Sequence, residues 1–470
     1  MIGLEVHCEL RSATKLFCGC RNAFGSEPNT NVCPVCLGLP GSLPVLNRMA
    51  VEYAMRIGTA LHCRIEPSIF HRKNYFYPDM PKDYQVSQYD LPINIDGWLE
   101  LPGGRRVGVE RAHLEEDTGK TTHVGGGGRI HEAGYSLVDY NRAGVPLVEI
   151  VSRPDLRGPA DARAYVDELR AILMATGASD GKMEEGSLRV DANVSVRPVG
   201  VAEYGTRAEI KNMNSLRSLG RAIEYETARQ IKRLEAGGRV VQETRGWDEA
   251  SGTTRSMRSK EEAYDYRYFP EPDLVGLEPA PEWLAAVAAA LPPMPADRRV
   301  RVATAAGMAP HSDPVVTVVR LDLDSFVMAA VDVGADPALA VRRLANEVAA
   351  GIDGTRQLDP DGFCRLLLME GKGELTSTQA REVLKQLLEG GGDPAAIAAG
   401  LGFEAMAGDA LEGAVDQVVA ANPGEWQRYC AGEDKLTGFF IGKVKAATAG
   451  KADLKAAAAL LAQRRKAAAG

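Results

Sequence analysis

Residues 2–9 read Ile2-Gly3-Leu4-Glu5-Val6-His7-Cys8-Glu9, a run in which apolar and polar side chains alternate. Successive side chains of an extended chain point to opposite faces. Ile2, Leu4 and Val6 therefore share one side and Glu5, His7 and Glu9 the other. The pattern predicts a half-buried strand in a sheet with one polar face. Two carboxylates and an imidazole on that face either stand in solvent or hold a hard divalent cation.

Working outward, the same period of two returns at Leu188, Val190, Ala192, Val194 and Val196, with Arg189, Asp191, Asn193, Ser195 and Arg197 facing away. A following strand carries Arg207, Glu209 and Lys211 on one side. Such a charged sheet face is plain surface or a cradle for a polar ligand. Two segments around these strands have helical spacing instead. One opens at Pro159 and ends at Gly177; the other is capped by Asn214 or Ser215 and closes at Gly237-Gly238. Strands and helices mixed in this way predict an α+β fold.

At 470 residues the chain is long enough for several domains. Pro279, Pro281, Pro292, Pro293 and Pro295 punctuate a change to alanine-rich helical sequence, and Gly390-Gly391-Gly392-Asp393-Pro394 marks a further break. The expected domains are 1–285, 286–393 and 394–470. A net charge of −8 excludes a general nucleic-acid coat but hides local asymmetry. No apolar run reaches membrane-spanning length and no signal peptide is visible, which points to a cytoplasmic protein without membrane contact.

Four of the eight cysteines cluster as Cys18-x-Cys20 and Cys33-x-x-Cys36. Two knuckles of this kind suit a structural Zn²⁺ bound by four thiolates, the rivals being two disulfides or reduced cysteines without metal. A closed site of this type is a folding staple within an insert at 18–36, with no open position for catalysis.

The run His113-Leu114-Glu115-Glu116-Asp117 packs three carboxylates beside a histidine. Neighbouring like charges repel unless a cation neutralises them, so Glu5, His7, Glu115 and Glu116 form a candidate Mg²⁺ site. Residues 71–90 interleave Lys73 and Lys82 with four tyrosines, a composition suited to phosphates and a stacked base or to an aromatic surface loop. Gly119-Lys120-Thr121 lacks the first glycine and the setting of a P-loop. No serine–histidine–aspartate set or amidase-type serine motif is present. From Lys435 onward eight Lys/Arg residues face one acid, Asp453, a local excess of seven positive charges on an acidic chain. That tail is either a solvated helix face or a grip for phosphate backbones.

Several of these motifs together resemble the B-subunit family of the tRNA-dependent amidotransferases, GatCAB. They are residues 2–7, 71–79, 113–117, Asp139-Tyr140-Asn141-Arg142-Ala143-Gly144-Val145-Pro146-Leu147, Lys211-Asn212-Met213-Asn214-Ser215, Asp265-Tyr266-Arg267-Tyr268-Phe269-Pro270 and Lys435-Leu436-Thr437-Gly438-Phe439-Phe440-Ile441-Gly442. The match runs through the whole chain in order. The family carries a few residues before the opening motif, so the resemblance implies a trimmed or misassigned start.

The resemblance implies an N-terminal cradle domain with a kinase-like site, a helical domain and a small tail of YqeY type. It implies an ATP- and Mg²⁺-dependent ligase that phosphorylates Glu-tRNA(Gln) or Asp-tRNA(Asn). Ammonia channelled from the amidase partner, the A subunit, then completes the amide, and a small C subunit wraps the other two. On this reading Glu5, His7, Glu115 and Glu116 hold Mg²⁺, and Glu116 and Lys82 are catalytic. Lys73, Lys82, Asn193 and Lys211 meet ATP phosphates, Cys18, Cys20, Cys33 and Cys36 hold Zn²⁺, and Lys435, Lys443, Lys445 and Lys451 bind tRNA.

Two other readings are an ATP-dependent ligase for a free small carboxylate, and a zinc-stapled RNA-binding scaffold without activity. Loss of the tail charges separates the first from a tRNA enzyme. Removing residues 435–470 is expected to weaken tRNA binding and flatten the salt dependence of affinity, measured by filter binding between 50 and 200 mM salt.

Overall fold

The computed structural model describes residues 1–125, 133–259, 266–351, 358–403, 408–448, 452 and 454–469. Lys451, Asp265 and the glycines at 126–128 lie outside the described residues. The chain divides into two compact units, Met1–Ala296 and Asp297–Gly470.

The first unit is built on β1 (Ile2–Glu9), which forms as its alternation predicts. Ile2, Leu4, Val6 and Cys8 are buried while Glu5, His7 and Glu9 are partly exposed. Further strands are β2 (Arg64–Ile65), β3 (His71–Asn74), β4 (Tyr84–Ser87), β5 (Asn94–Glu100) and β6 (Arg106–Glu116). Next come β7 (Lys120–Val124), β8 (Tyr135–Asp139), β9 (Pro146–Ser152), β10 (Leu188–Val194) and β11 (Ala208–Met213). The last are β12 (Glu243–Asp248), β13 (Thr253–Ser259) and β14 (Phe269–Pro270). Twelve of them form one sheet, whose main path runs β13-β12-β11-β10-β1-β9-β6-β4-β3-β14, with β5 on β6 and β2 on β5; β7 and β8 pair separately. β1 is hydrogen-bonded on both edges, antiparallel to β9 and β10.

Among the described residues, three helices and a fourth near the end of the unit contribute to its apolar core. α1 (Arg48–Ala60) is capped by the Asn47 side chain, which accepts from the Met49 and Ala50 N–H groups. α2 (Pro159–Ala175) starts with proline at its first turn, and α3 (Leu216–Glu235) is capped by Ser215. Met55, Ile57, Tyr165, Leu169, Leu219 and Ile223 join Leu4 and Val6 in one buried cluster. The strand expected through Arg197 stops at Val194: one more reciprocal pair joins Ser195 to Met1, and Pro198 beyond it has no N–H to give. A bulge between β10 and β11 inserts one extra residue, and Asn212 takes a φ of 67° there.

The boundary expected at 285 falls inside α4 (Pro281–Ala289). Val287 is buried in the first core, and Trp283, Leu284 and Leu291 pack against it, which carries the unit to Ala296.

Among its described residues the second unit has helices and no strand, as its composition suggested. A core is built by α5 (Pro295–Ala306), α6 (Asp313–Arg320), α7 (Asp324–Asp332), α8 (Pro337–Arg343), α9 (Pro360–Gly371), α10 (Ser377–Gly390) and α11 (Pro394–Gly400). The break expected at 393 is a turn rather than the end of this core, since Ala398 is buried in it and Phe403 packs on it. A further core joins α12 (Gly408–Ala421), α13 (Pro423–Cys430), α14 (Leu436–Ala447) and α15 (Leu454–Ala469) through Val415, Tyr429, Phe440, Val444 and Leu461. Truncation at 435 removes two of these helices, so charge substitutions at exposed Lys435, Lys443 and Lys445 test the tail without dismantling its core. The tail's charge is also smaller than its composition implies: Arg464 pairs with Glu412 and Asp416, and Arg465 with Asp434. No helix among the described residues is long and apolar enough to cross a membrane.

In the second unit Asp324 is tied to Arg298 and Arg301. Burial alone would raise its carboxyl, but the hydrogen bond and charge of Arg298 hold it below the usual value. A carboxyl lowered by folding stabilises above its unfolded value and loses that contribution as pH falls through the folded one. Asp324→Asn is therefore expected to lower the urea midpoint at pH 7 by the equivalent of about 1–3 kcal/mol, with the gap to the parent closing below about pH 4.

Candidate functional site

The register of three central strands assembles the site. His7 on β1 stands opposite Glu149 on β9, and Glu149 stands opposite His113 on β6. Two residues beyond His113 on the same face, Glu115 completes the group. His7 Nε2 lies 3.5 Å from Glu115 Oε1, and His113 Nε2 lies 3.3 Å from Glu149 Oε2. The ligand atoms of His7, Glu115 and Glu149 all fall within 4.8 Å of one another. Burial pushes the Glu115 carboxyl up to about 8, with the Glu149 charge adding to the effect. Burial would raise Glu149 too, but the His113 hydrogen bond and charge hold it low. Two carboxylates this close favour one positive charge between them, a proton or a cation. An imidazole with two carboxylates suits Mg²⁺ or Mn²⁺.

A second acidic cluster adjoins the first along β1. Glu5 stands opposite Asp191, and Asn193 opposite Glu209. The carboxylates of Glu5, Asp191 and Glu209 also fall within 4.8 Å of one another. Lys211 Nζ donates to Asp191 Oδ2 at 2.9 Å and lies 3.2 Å from Glu209. Asn193 Nδ2 donates to Glu5 Oε1 at 2.9 Å, while its buried Oδ1 has no hydrogen-bond partner. That free acceptor is what an oxygen-ligated cation would use, so the donor set fits one. A cavity of about 480 Å³, lined in part by Glu5, Asn193, Ser195 and Arg207, opens beside this cluster.

The four residues expected to share one cation, Glu5, His7, Glu115 and Glu116, are not brought together. β6 continues as strand through Glu116, so 115 and 116 face opposite sides of the sheet. Glu116 Oε1 accepts from the Val86 N–H at 2.9 Å and pairs with Lys82. Lys82 is thus engaged by Glu116 on the side away from the acidic clusters. Lys73 does lie on the cation side: its Nζ sits 4.5 Å over the Tyr266 ring, and its charge lowers Glu115. Glu9, which shares the β1 face, meets Asp117, and the pair is bracketed by Arg189 and Arg142. Burial first, then Asp117, pushes Glu9 up to about 7.

Two family models match most of the chain. The one described as the GatB/GatE catalytic domain matches residues 1–285, and the one described as the GatB domain matches 325–464. The chain belongs to the GatB family. It is 51% identical to the B subunit of the aspartyl/glutamyl-tRNA(Asn/Gln) amidotransferase of Frankia casuarinae, across 99% of this chain and 95% of that one. It is 47% identical to the protein of the same name from Carboxydothermus hydrogenoformans, across 98% and 97%. A third, from Thermosynechococcus vestitus, is 48% identical across 99% and 96%.

In this GatB-family chain the four cysteines of the insert meet. Cys18, Cys20, Cys33 and Cys36 place their sulfurs within 4.8 Å of one another, and all four are free thiols. The Cys33 and Cys36 sulfurs are 3.8 Å apart. Bonds of about 2.3 Å to a tetrahedral zinc would set sulfurs about 3.8 Å apart, so the residues fit the metal. The Cys33 N–H donates to Cys36 Sγ at 3.0 Å. The Cys18 thiol, followed by that N–H, pulls Cys36 down to about 5. Gly38 (φ 68°) folds this knuckle against Lys82: a Cβ there would sit 2.4 Å from Lys82 Cγ.

Glu149 is the acidic partner that motif reading passed over; Asp191 and Glu209 stood on the charged face read as surface or a ligand cradle, without a cation role. Glu149 had a signal, since Pro146–Ser152 alternates and puts it on the polar side. Mn²⁺ titration followed by electron paramagnetic resonance checks the assignment of faces. Glu149→Gln is expected to weaken Mn²⁺ binding by more than about tenfold, and Glu116→Gln to leave it within about twofold.

Proposed function

We propose that this chain is the B subunit of an ATP-dependent tRNA amidotransferase and activates a tRNA-bound carboxylate. The observation that carries the reading is the pair of adjoining acidic clusters, His7–Glu115–Glu149 and Glu5–Asp191–Glu209, on one sheet face with Lys73 and Lys211. Amidating a carboxylate at neutral pH requires a better leaving group than oxide. The carboxylate oxygen of Glu-tRNA(Gln) or Asp-tRNA(Asn) attacks the γ-phosphorus of ATP, ADP leaves, and an acyl phosphate results. Ammonia then attacks the acyl carbon and inorganic phosphate departs. Phosphoryl transfer is helped chiefly by positioning and charge neutralisation.

His7, Glu115 and Glu149 would hold Mg²⁺, with Glu5, Asp191, Glu209 and Asn193 as a second oxygen-rich set; the metal supplies neutralisation of phosphate charge. Lys211 and Lys73 provide fixed positive charge beside these sets and are suited to phosphate oxygens. Glu116 and Lys82 act as positioning residues: their ion pair and the bond from Val86 fix β6 behind Glu115. The chain has no amidase serine motif, so ammonia from glutamine comes from a separate amidase, the A subunit, with a small C subunit completing the heterotrimer. Zn²⁺ in the cysteine quartet is structural. Exposed Lys435, Lys443 and Lys445 on the C-terminal helices would contact the tRNA backbone, in a cytoplasmic enzyme serving protein synthesis.

Reconstitution with the A and C partners, supplied with both misacylated tRNAs, tests this reading. Amidated tRNA should form only with ATP and Mg²⁺; formation of neither product sinks the proposal. Glu115→Gln should cut amidation by at least about 100-fold and Glu116→Ala, which only releases the support behind β6, by less, while the partner's glutaminase survives in both.

A further inference from the structure

Lys15 is one of the largest fully buried side chains of the protein, with a relative exposure of 0%. Taking an ammonium out of water costs several kcal/mol unless opposite charge faces it. Among the described residues, no carboxylate pairs with Lys15, and its Nζ has one hydrogen bond, to the neutral Asn31 carbonyl at 3.0 Å. Its surroundings are the cysteine quartet. The Lys15 backbone N–H donates to the Cys20 carbonyl at 2.9 Å, and Asn31 lies two residues before Cys33. One residue therefore ties the first knuckle to the second. The stem runs beside Cys36: a Cβ built on Gly144 would stand 3.6 Å from both Lys15 Cδ and Cys36 Cβ, and 3.9 Å from Glu116, whose carboxylate is already paired with Lys82. Four thiolates around one divalent ion leave a net charge of about −2; Cys36 is buried there and the other three cysteines are partly exposed.

We propose that Lys15 is the buried countercharge of the four-cysteine centre, a positioning residue that strengthens its hold on Zn²⁺. The inference rests on the zinc reading of the quartet and adds a residue that neither the cysteine spacing nor the sequence motifs indicate. It accounts for a lysine that would otherwise bury its charge against a single carbonyl. A role in charge differs measurably from a role in pinning the loop by one hydrogen bond. Pinning would be kept by a neutral donor; charge compensation would not. Removing the charge should also act in opposite directions with and without metal, because an ammonium facing no anion is a burden and one facing a dianionic centre is a partner.

The experiment uses the full chain with Lys15→Met, Lys15→Gln and Lys15→Arg. Zinc content is measured by mass spectrometry, affinity by chelator competition, and melting temperature with and without Zn²⁺. The parent is expected to hold one Zn²⁺, Lys15→Met and Lys15→Gln to bind it about 10–100-fold more weakly, and Lys15→Arg to stay closer to the parent. Without zinc the two neutral variants should melt no lower than the parent; with zinc they should melt lower. Parental affinity in either neutral variant, or equal losses of melting temperature in both states, overturns the proposal. Where Lys15→Met does not fold, Lys15→Gln carries the same comparison. A parent that binds no zinc refutes the metal reading instead, and is distinguishable from both.

Discussion

The first unit depends on one constraint: β1 is hydrogen-bonded along both edges, so each of its side chains is committed to one side of the sheet. A central antiparallel strand cannot slip by one residue without exchanging its buried and exposed sets. Here a slip would drive Glu5, His7 and Glu9 into the core that Leu4 and Val6 now fill. The penalty for burying three ionisable groups in apolar surroundings pins the register. With the polar set held on that face, the observed pairing places His7 opposite Glu149 and Glu5 opposite Asp191.

The acids on that face are held under electrostatic tension. Glu115 is raised by burial and by its neighbour, whereas Glu149 is kept ionised by His113. Lys211 answers the charge of Asp191 from the neighbouring strand, and Arg189 on β10 pairs with Asp117 just past the end of β6. Without such partners a group of carboxylates would weaken the fold; with them it is a set of preorganised oxygens whose reorganisation cost was met during folding. The same logic governs Glu9 and Asp117, a carboxylate pair that two arginines make tolerable.

Much of this was legible in the sequence, for local reasons. The polar face of β1, the two helices around residues 159–177 and 215–238, and the cysteine knuckles each depend on spacing within a few residues. What was not legible depends on pairing between distant segments. Glu149 is invisible as a partner of His7 until register brings residues 142 positions apart side by side. Glu115 and Glu116 misled for the opposite reason. Adjacent in sequence, they read as one cluster, and a strand is the one conformation that sends them apart. The apolar helices at the proline-rich and glycine-rich breaks, α4 and α11, contribute buried residues to cores, a packing that composition alone does not reveal.

That separation of Glu115 from Glu116 has a mechanical side. The two carboxylates hang from neighbouring α-carbons joined by a single planar peptide. One reaches into the cation face; the other is clamped by Lys82, which Gly38 lets the cysteine knuckle touch. Paired to β9 and at Glu115 to β4, this segment of β6 carries both, so the contact of the insert with Lys82 on one side and the placement of an acidic ligand on the other share one stretch of backbone.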